Sequence, residues 1–223
     1  PDMLYQLGQD NNFPPVSKAN GEGLLAIGGD LNPKRLLHAY RLGIFPWYNR
    51  KSPILWWCPN PRFVLFPTHL RVSHSMRQVL VSDKFQYRFN TSFSGVIKAC
   101  SEVKRKGQKG TWILPEMIAA YEEMHRLGFA VSAETWKDNS LVGGLYGMRM
   151  GRIFFGESMF SLESNASKFA FIHLVGQLRE EGISLIDCQT YSAHLESLGA
   201  QMVSRKLFSE ILDREIGSYP LPI

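Results

Sequence analysis

Between Pro115 and Gly128 apolar side chains recur at Met117, Ile118, Tyr121 and Met124, the 3.6-residue spacing of an amphipathic helix, with proline opening it and glycine closing it. The rhythm then changes to strand-like runs. Residues 129–136 and 141–146 predict two strands joined by a turn at Asp138-Asn139, and Met150-Gly151 turns the chain into a third strand over 153–160. Ser164 or Asn165 caps a long helix through Phe169, Ile172, Leu174 and Leu178, which Gly182 closes. Residues 183–189 follow as a short buried strand, 194–198 as a helix, 201–203 as a strand, and a last helix starts at Leu207.

The first part of the chain is patterned differently. Its first thirty or so residues are rich in Asn, Pro and Gly, which excludes long regular elements there. Asn32 caps a helix with Pro33 at its first position and an apolar stripe at Leu36, Leu37 and Tyr40, ending at Gly43. The stretch from Phe45 to Arg62 is dense in tryptophan and too proline-broken for a helix. Residues 1–65 therefore read as a small N-terminal domain and residues 66–223 as a larger one, in the α/β (α+β) class. The larger domain's element order, three antiparallel strands, a helix, a strand, a helix and a strand, matches a GNAT-like acyltransferase with a mixed, mainly antiparallel sheet. That likeness names a fold and no substrate.

Composition narrows the picture modestly. No apolar run approaches the roughly 20 residues that cross a bilayer, and Pro1 to Gln6 lacks the features of a signal peptide, so a cytoplasmic protein is expected. Three widely spaced cysteines, Cys58, Cys100 and Cys188, fit reduced thiols better than disulfides or zinc, and the six histidines form no ligand pair, so neither metal nor cofactor is expected. The formal charge of +5 is compatible with a polyanionic partner without requiring one. The densest basic run, Lys104-Arg105-Lys106 with Lys109, reads as an exposed loop that serves either phosphate contact or plain solvation.

Candidate chemistry sits where polar groups interrupt apolar strands. Alternation puts Asp187 and Gln189 on one strand face and Cys188 on the other, while Glu157 stands among aromatics in Phe155-Gly156-Glu157-Ser158-Met159-Phe160. A carboxylate in such a setting needs a partner or a function, and the pattern fits structural pairing with Lys168 or backbone donors as well as catalysis. Trp47 and Trp112 stand beside loop signals and suit either nucleobase stacking or burial. Cys188 with His194 and Asp187 is a weaker thiol-nucleophile candidate, because alternation turns Cys188 away into the packing and His194 suits packing on, or capping, its own helix.

Read together, nine stretches resemble the leucyl/phenylalanyl-tRNA–protein transferase family. They are Gly23 to Ala26 with Gly28 to Leu31; Gly43 to Trp47; Leu55 to Trp57 with Pro59 and Pro61-Arg62; Gly110 to Ile113; Leu141 to Gly147; Gly156 to Ser161; Asn165 to Lys168; Ile186 to Gln189; and His194 with Ser197 to Ala200. The resemblance implies transfer of leucine or phenylalanine, and methionine as well, from leucyl-tRNA and phenylalanyl-tRNA to proteins with N-terminal Arg or Lys, marking them for N-degron degradation. It implies a monomer needing no cofactor, with Trp47 and Trp112 holding the terminal adenosine. Leu145, Phe154, Met159 and Ile186 would line the donor side-chain pocket, with Leu145 standing where methionine also occurs in the family.

The same resemblance makes Glu157, Asp187 and Gln189 catalytic. Gln189, scarcely basic, would orient the attacking amine and Asp187 would polarise or orient it. Glu157 would bind the donor ammonium and share in proton transfer, with the division between the two acids open. Two competitors remain at this point. An acetyl-CoA-dependent N-acyltransferase would cradle pyrophosphate at the long helix's N-terminus, where residues 161–168 contain no glycine. A non-catalytic tRNA-binding module would leave Glu157, Asp187 and Gln189 without a purpose.

Overall fold

The structure, a computed structural model, describes residues 4–103 and 111–217. The basic run at residues 104–109 lies outside the described residues. In the N-terminal part, β1 (Tyr5–Leu7), β2 (Leu24–Gly28), β3 (Phe45–Pro46) and β4 (Leu55–Trp57) form a four-stranded sheet in the order β1-β2-β4-β3. Helix α1 (Pro33–Arg41) links β2 to β3. It starts where the sequence places it: Asn32 Oδ1 accepts a bond of 3.0 Å from the Arg35 amide, and Pro33 fills the first helical position, where no amide is needed.

The larger sheet has seven strands: β5 (Arg62–Leu65), β6 (Gln86–Phe89), β7 (Ala130–Lys137), β8 (Ser140–Met150), β9 (Ile153–Ser161), β10 (Leu185–Gln189) and β11 (Gln201–Val203), in the order β11-β5-β10-β9-β8-β7-β6. Its neighbours are antiparallel except β9 and β10, so the sheet is mixed and mainly antiparallel. The strand at residues 62–65, counted with the small domain from sequence, pairs with β10 and β11 and belongs to this larger sheet. Around the sheet run α2 (His74–Val81), α3 (Phe93–Glu102), α4 (Pro115–Arg126), α5 (Ala166–Glu180), α6 (Ala193–Ser197) and α7 (Arg205–Ile216).

Local chemistry explains most boundaries. Asp138 and Asn139 take φ of 48° and 61°, the left-handed pair that a tight β7–β8 hairpin requires. A parallel β9–β10 pair cannot be closed by a hairpin, so α5 makes the crossover. Asn165 does stand at the start of α5, but at φ 68° its side chain makes no cap bond; the Ser161 hydroxyl accepts the Ser167 amide instead, at 3.1 Å. The last helix begins two residues before Leu207, where the Ser204 hydroxyl accepts the Leu207 amide at 3.1 Å.

The two faces of the large sheet bury separate cores. On one face Tyr146 and Phe155 pack with residues of α1, α3, α4, α7 and the small sheet, which ties the N-terminal part to the rest. The other face packs Leu145, Phe154 and Ile186 against α5, including Phe171 and Leu174. Gly143 lets α5 approach β8 this closely, since a Cβ there would lie 2.6 Å from that of Ala166.

Candidate active site

A break in the large sheet makes the site. β9 and β10 are in register from Leu185↔Ile153 through Asp187↔Phe155, and their pairing ends there. Across β8, Gly147 faces Gly156 and Tyr146 faces Ser158, which leaves Glu157 as an extra residue, a bulge. A Cβ on Gly147 would come within 2.3 Å of the Phe155 carbonyl oxygen, so this crowded register needs glycine. β10 is irregular too. Its register against β5 shifts between Asp187 and Gln189, and Gln189 takes φ 64°.

Each irregularity re-aims side chains. Before the bulge, Phe154 faces the α5 core and Phe155 the opposite one; after it, odd-numbered Met159 faces α5 and even-numbered Phe160 turns away. The parity of β9 has been reversed. As a result a cavity of about 430 Å³ opens between the separated strands and draws lining from both faces, a volume suited to a small ligand or a terminal group of a larger one. On its α5 side lie Leu145, Met159, Phe171, Ile186, Cys188 and Leu195. On its other side lie Phe45, Trp47 and Trp112, with Glu157 and Gln189 also in the lining.

The two carboxylates have different surroundings. Asp187 is fully buried and meets Arg62 in a two-point ion pair, Nε to Oδ1 at 2.8 Å and Nη2 to Oδ2 at 2.6 Å. Arg62 also donates to the Gly43 carbonyl at 2.7 Å and is flanked by the Phe45 and Phe208 rings, 4.9 and 4.6 Å away. Asp187 Oδ1 accepts the Gln189 amide N–H at 2.9 Å, which pins the left-handed turn of that residue. The ion pair therefore acts on the cavity through the conformation of Gln189.

Among the described residues Glu157 has no ion-pair partner. Tyr40 Oη donates to its Oε1 at 2.5 Å, and Gln189 Nε2 lies 3.4 Å from both carboxylate oxygens. Burial pushes the Glu157 carboxyl up to about 8, against the opposing pull of the Tyr40 hydrogen bond. Such a group exchanges a proton near neutrality.

Of the residues singled out from sequence, the structure brings Trp47, Trp112, Leu145, Glu157, Met159, Ile186, Asp187 and Gln189 to one cavity. Trp47 is 47% exposed, so about half of its surface is accessible beside the cavity. Phe154 does not reach the cavity; it is 1% exposed in the core on the α5 side, because it precedes the bulge. Cys188 was expected in the packing away from the site, yet it lines the cavity, because the separated strands expose the α5 side as well. Burial first, and Asp187 second, push its thiol well above the ordinary range, which disfavours a thiolate nucleophile. His194 is half-buried on α6, which Ser192 rather than His194 caps, and burial lowers its basicity.

Sequence reasoning missed Phe45, Phe171, Leu195 and the lining role of Cys188, and it gave no role to Arg62 or Tyr40. Phe171 lies on a helix buried on most sides, where the apolar pattern singles out no face. Among the described residues no cluster of His, Cys, Asp and Glu could hold a metal ion.

A model of the leucyl/phenylalanyl-tRNA protein transferase family matches residues 64–213, and a model of that family's N-terminal domain matches residues 29–60. The chain belongs to this family. It is 54% identical over 209 residues to the leucyl/phenylalanyl-tRNA–protein transferase of Flavobacterium johnsoniae, covering 94% of this chain and 99% of the relative. The enzyme of the same name from Syntrophobacter fumaroxidans is 51% identical over 213 residues, covering 96% and 91%. Among solved structures, a GCN5-related N-acetyltransferase from Kribbella flavida is similar at 11% identity and a TM-score of 0.39, over 76% of this chain and 60% of that one. Membership makes the chain an enzyme, a transferase of this family.

Proposed function

We propose that the protein transfers leucine or phenylalanine, and methionine as well, from aminoacyl-tRNA to the α-amine of proteins beginning with Arg or Lys, marking them for N-degron degradation. The observation that carries this reading is a single cavity with an apolar wall, two tryptophans and a half-buried carboxylate that has no ion-pair partner among the described residues. The apolar wall of Leu145, Met159, Ile186, Phe171 and Cys188 takes the donor side chain, with Phe154 supporting it from behind. Trp47 and Trp112 stack on the terminal adenosine, at roughly 1–3 kcal/mol per base.

The donor ester is already activated, so the enzyme has to align the amine, stabilise the tetrahedral intermediate and move one proton. Gln189 orients the amine. Asp187, neutralised by Arg62, fixes the backbone of Gln189 and acts through it. Glu157 takes the proton that the amine loses and returns it to the departing ribose oxygen. The division of the chain is functional on this view: the N-terminal part before Arg62 supplies Trp47, and the GNAT-like catalytic domain, with the strand at residues 62–65, supplies the apolar wall. The protein works as a cytoplasmic monomer without a cofactor; among the described residues no helix is long and apolar enough to cross a membrane.

The acetyl-CoA alternative loses support at the start of α5. There the Ala166 amide donates to the Glu163 carbonyl and the Ser167 amide to the Ser161 hydroxyl, both at 3.1 Å, so the amides a pyrophosphate would use are occupied. The deciding assay uses purified protein, labelled leucyl-tRNA and peptides differing only in their first residue. Transfer to Arg- and Lys-starting peptides alone is expected, falling steeply with added salt as tRNA contacts weaken. Equal transfer to an Ala-starting peptide, or transfer from acetyl-CoA, overturns the reading.

A further inference from the structure

We infer that Tyr40 and Tyr121 form a buried hydroxyl pair that positions the Glu157 carboxylate and favours its charged form, so that the N-terminal part of the chain helps to set the chemistry. The inference rests on the transferase reading of the site. Tyr40 stands on α1 and Tyr121 on α4, and both are at most 1% exposed. Their hydroxyls are hydrogen-bonded to each other, and Tyr40 Oη donates to Glu157 Oε1 at 2.5 Å.

Counting protons orders this chain. A phenol has one hydrogen to give, and an ionised carboxylate can only accept. Tyr40 spends its hydrogen on Oε1, and the Tyr121 hydrogen goes either to Tyr40 or to Glu157, with which Tyr121 also interacts. In the first case each bond polarises the next, which strengthens the donor that reaches Glu157. The rings are held in turn: Tyr40 packs edge-on against Phe155 at 5.1 Å, and Tyr121 against Tyr146 at 5.7 Å.

In the reaction the amine nitrogen bonds to the ester carbon, and the bond from that carbon to the ribose oxygen breaks. Glu157 accepts one N–H proton and passes it to the ribose oxygen, so it ends as it began. The hydroxyl pair leads nowhere, since both phenols are sealed from solvent; it tunes and aims Glu157 without carrying protons away. Other groups facing Glu157 are Asp187 and Gln189 on β10 and Arg62 on β5, with Tyr48 close enough to act on Tyr121. Arg62 is already engaged by Asp187, so among the described residues the phenols are the hydroxyl donors that reach Glu157.

The test is the pH profile of single-turnover transfer in wild type, Tyr40→Phe and Tyr121→Phe, each beside thermal unfolding. Loss of a donor to the charged form raises the Glu157 limb by about one to two pH units in Tyr40→Phe. Tyr121→Phe moves it in the same direction by less. A limb belonging to the acceptor amine stays fixed in every variant, and in a Glu157→Gln background Tyr40→Phe shifts nothing. An infrared titration of the carboxyl stretch, wild type minus Glu157→Gln, reads the same displacement without substrates. If wild type transfers nothing, the functional reading fails while the infrared shift still decides the hydroxyl pair. A uniform loss of rate with both the limb and the infrared titration unmoved makes Tyr40 a packing residue and overturns the inference. Should Tyr40→Phe not fold, Tyr121→Phe and its infrared titration decide it.

Discussion

Two acids border the same cavity, and their surroundings could hardly differ more. Asp187 is matched by a buried guanidinium that also holds Gly43 and two aromatic rings, while among the described residues Glu157 is hydrogen-bonded by phenol and amide groups. The first arrangement neutralises charge and fixes geometry. The second leaves a carboxyl whose proton affinity has been raised toward neutral pH by burial. On the proposed reading this difference in surroundings makes Asp187 the framework and Glu157 the proton carrier.

The sharpest way to break the comparison is to remove the cation. Arg62→Ala leaves Asp187 buried and unpaired, and should lower stability by about 3–5 kcal/mol in denaturant unfolding. Transfer should fall with it, because Gln189 loses the anchored turn that Asp187 maintains. A stable, active Arg62→Ala would deny the ion pair its framework role.

Glu157→Gln should do the opposite: near-normal folding with transfer slowed by about 10²-fold or more, the range typical of a lost proton-transfer group. The sign of its pH effect follows from linkage. The unfolded chain releases this proton near the ordinary 4.5, whereas the folded protein holds it to about 8. Over that window the native state binds more protons, so Glu157 costs stability increasingly as pH rises. The Glu157→Gln variant should therefore gain on wild type from about pH 4.5 to 8 and keep a constant margin above. Parallel stability curves would show that Glu157 titrates normally and would remove the contrast with Asp187.

Trp112→Ala probes the aromatic side of the cavity. Donor binding should weaken by about 1–3 kcal/mol, with the fold retained, if the ring stacks on the terminal adenosine. Unfolding without a separable binding defect would place Trp112 with the core it already packs against.

How far these features were legible from sequence depends on how local their causes are. The Asn32 cap, the Asp138-Asn139 hairpin and the 3.6-residue stripe of α4 each depend on a few neighbouring residues, and each was read correctly. The run from Leu70 to Val103 gave no element in advance, although it holds α2, β6 and α3. There the start of α3 depends on Glu134, distant in sequence, which accepts the Thr91 and Ser92 amides at 2.9 and 2.7 Å. The site followed the same rule. Glu157, Asp187 and Gln189 stood out as polar interruptions of apolar strands, but Arg62 and Tyr40, which give the two acids their different characters, lie 125 and 117 residues from them. Alternation misplaced Cys188, and the lining position that the resemblance implied for Phe154 is not met, since the bulge at Glu157 and the parting of β9 from β10 are tertiary events.

The smallest effect is expected at Cys188, the residue between Asp187 and Gln189 on β10. Its thiol lines the apolar wall, its Sγ lies 3.8 Å from the Ile186 carbonyl oxygen, and its proton affinity is raised by burial and by Asp187. A thiol so disfavoured as thiolate offers shape and little chemistry. Cys188→Ala should keep transfer within a few-fold of wild type and leave the pH limb of Glu157 in place, with a modest stability loss from the lost packing. Because the substitution enlarges the donor wall, it should favour phenylalanine relative to leucine, by no more than roughly tenfold, the scale of one methylene-sized change in an apolar pocket. Competition between leucyl- and phenylalanyl-tRNA in one reaction measures this directly. A folded Cys188→Ala without activity, beside an active Glu157→Gln, would return the chemistry to the thiol and make Glu157 the structural acid of the pair.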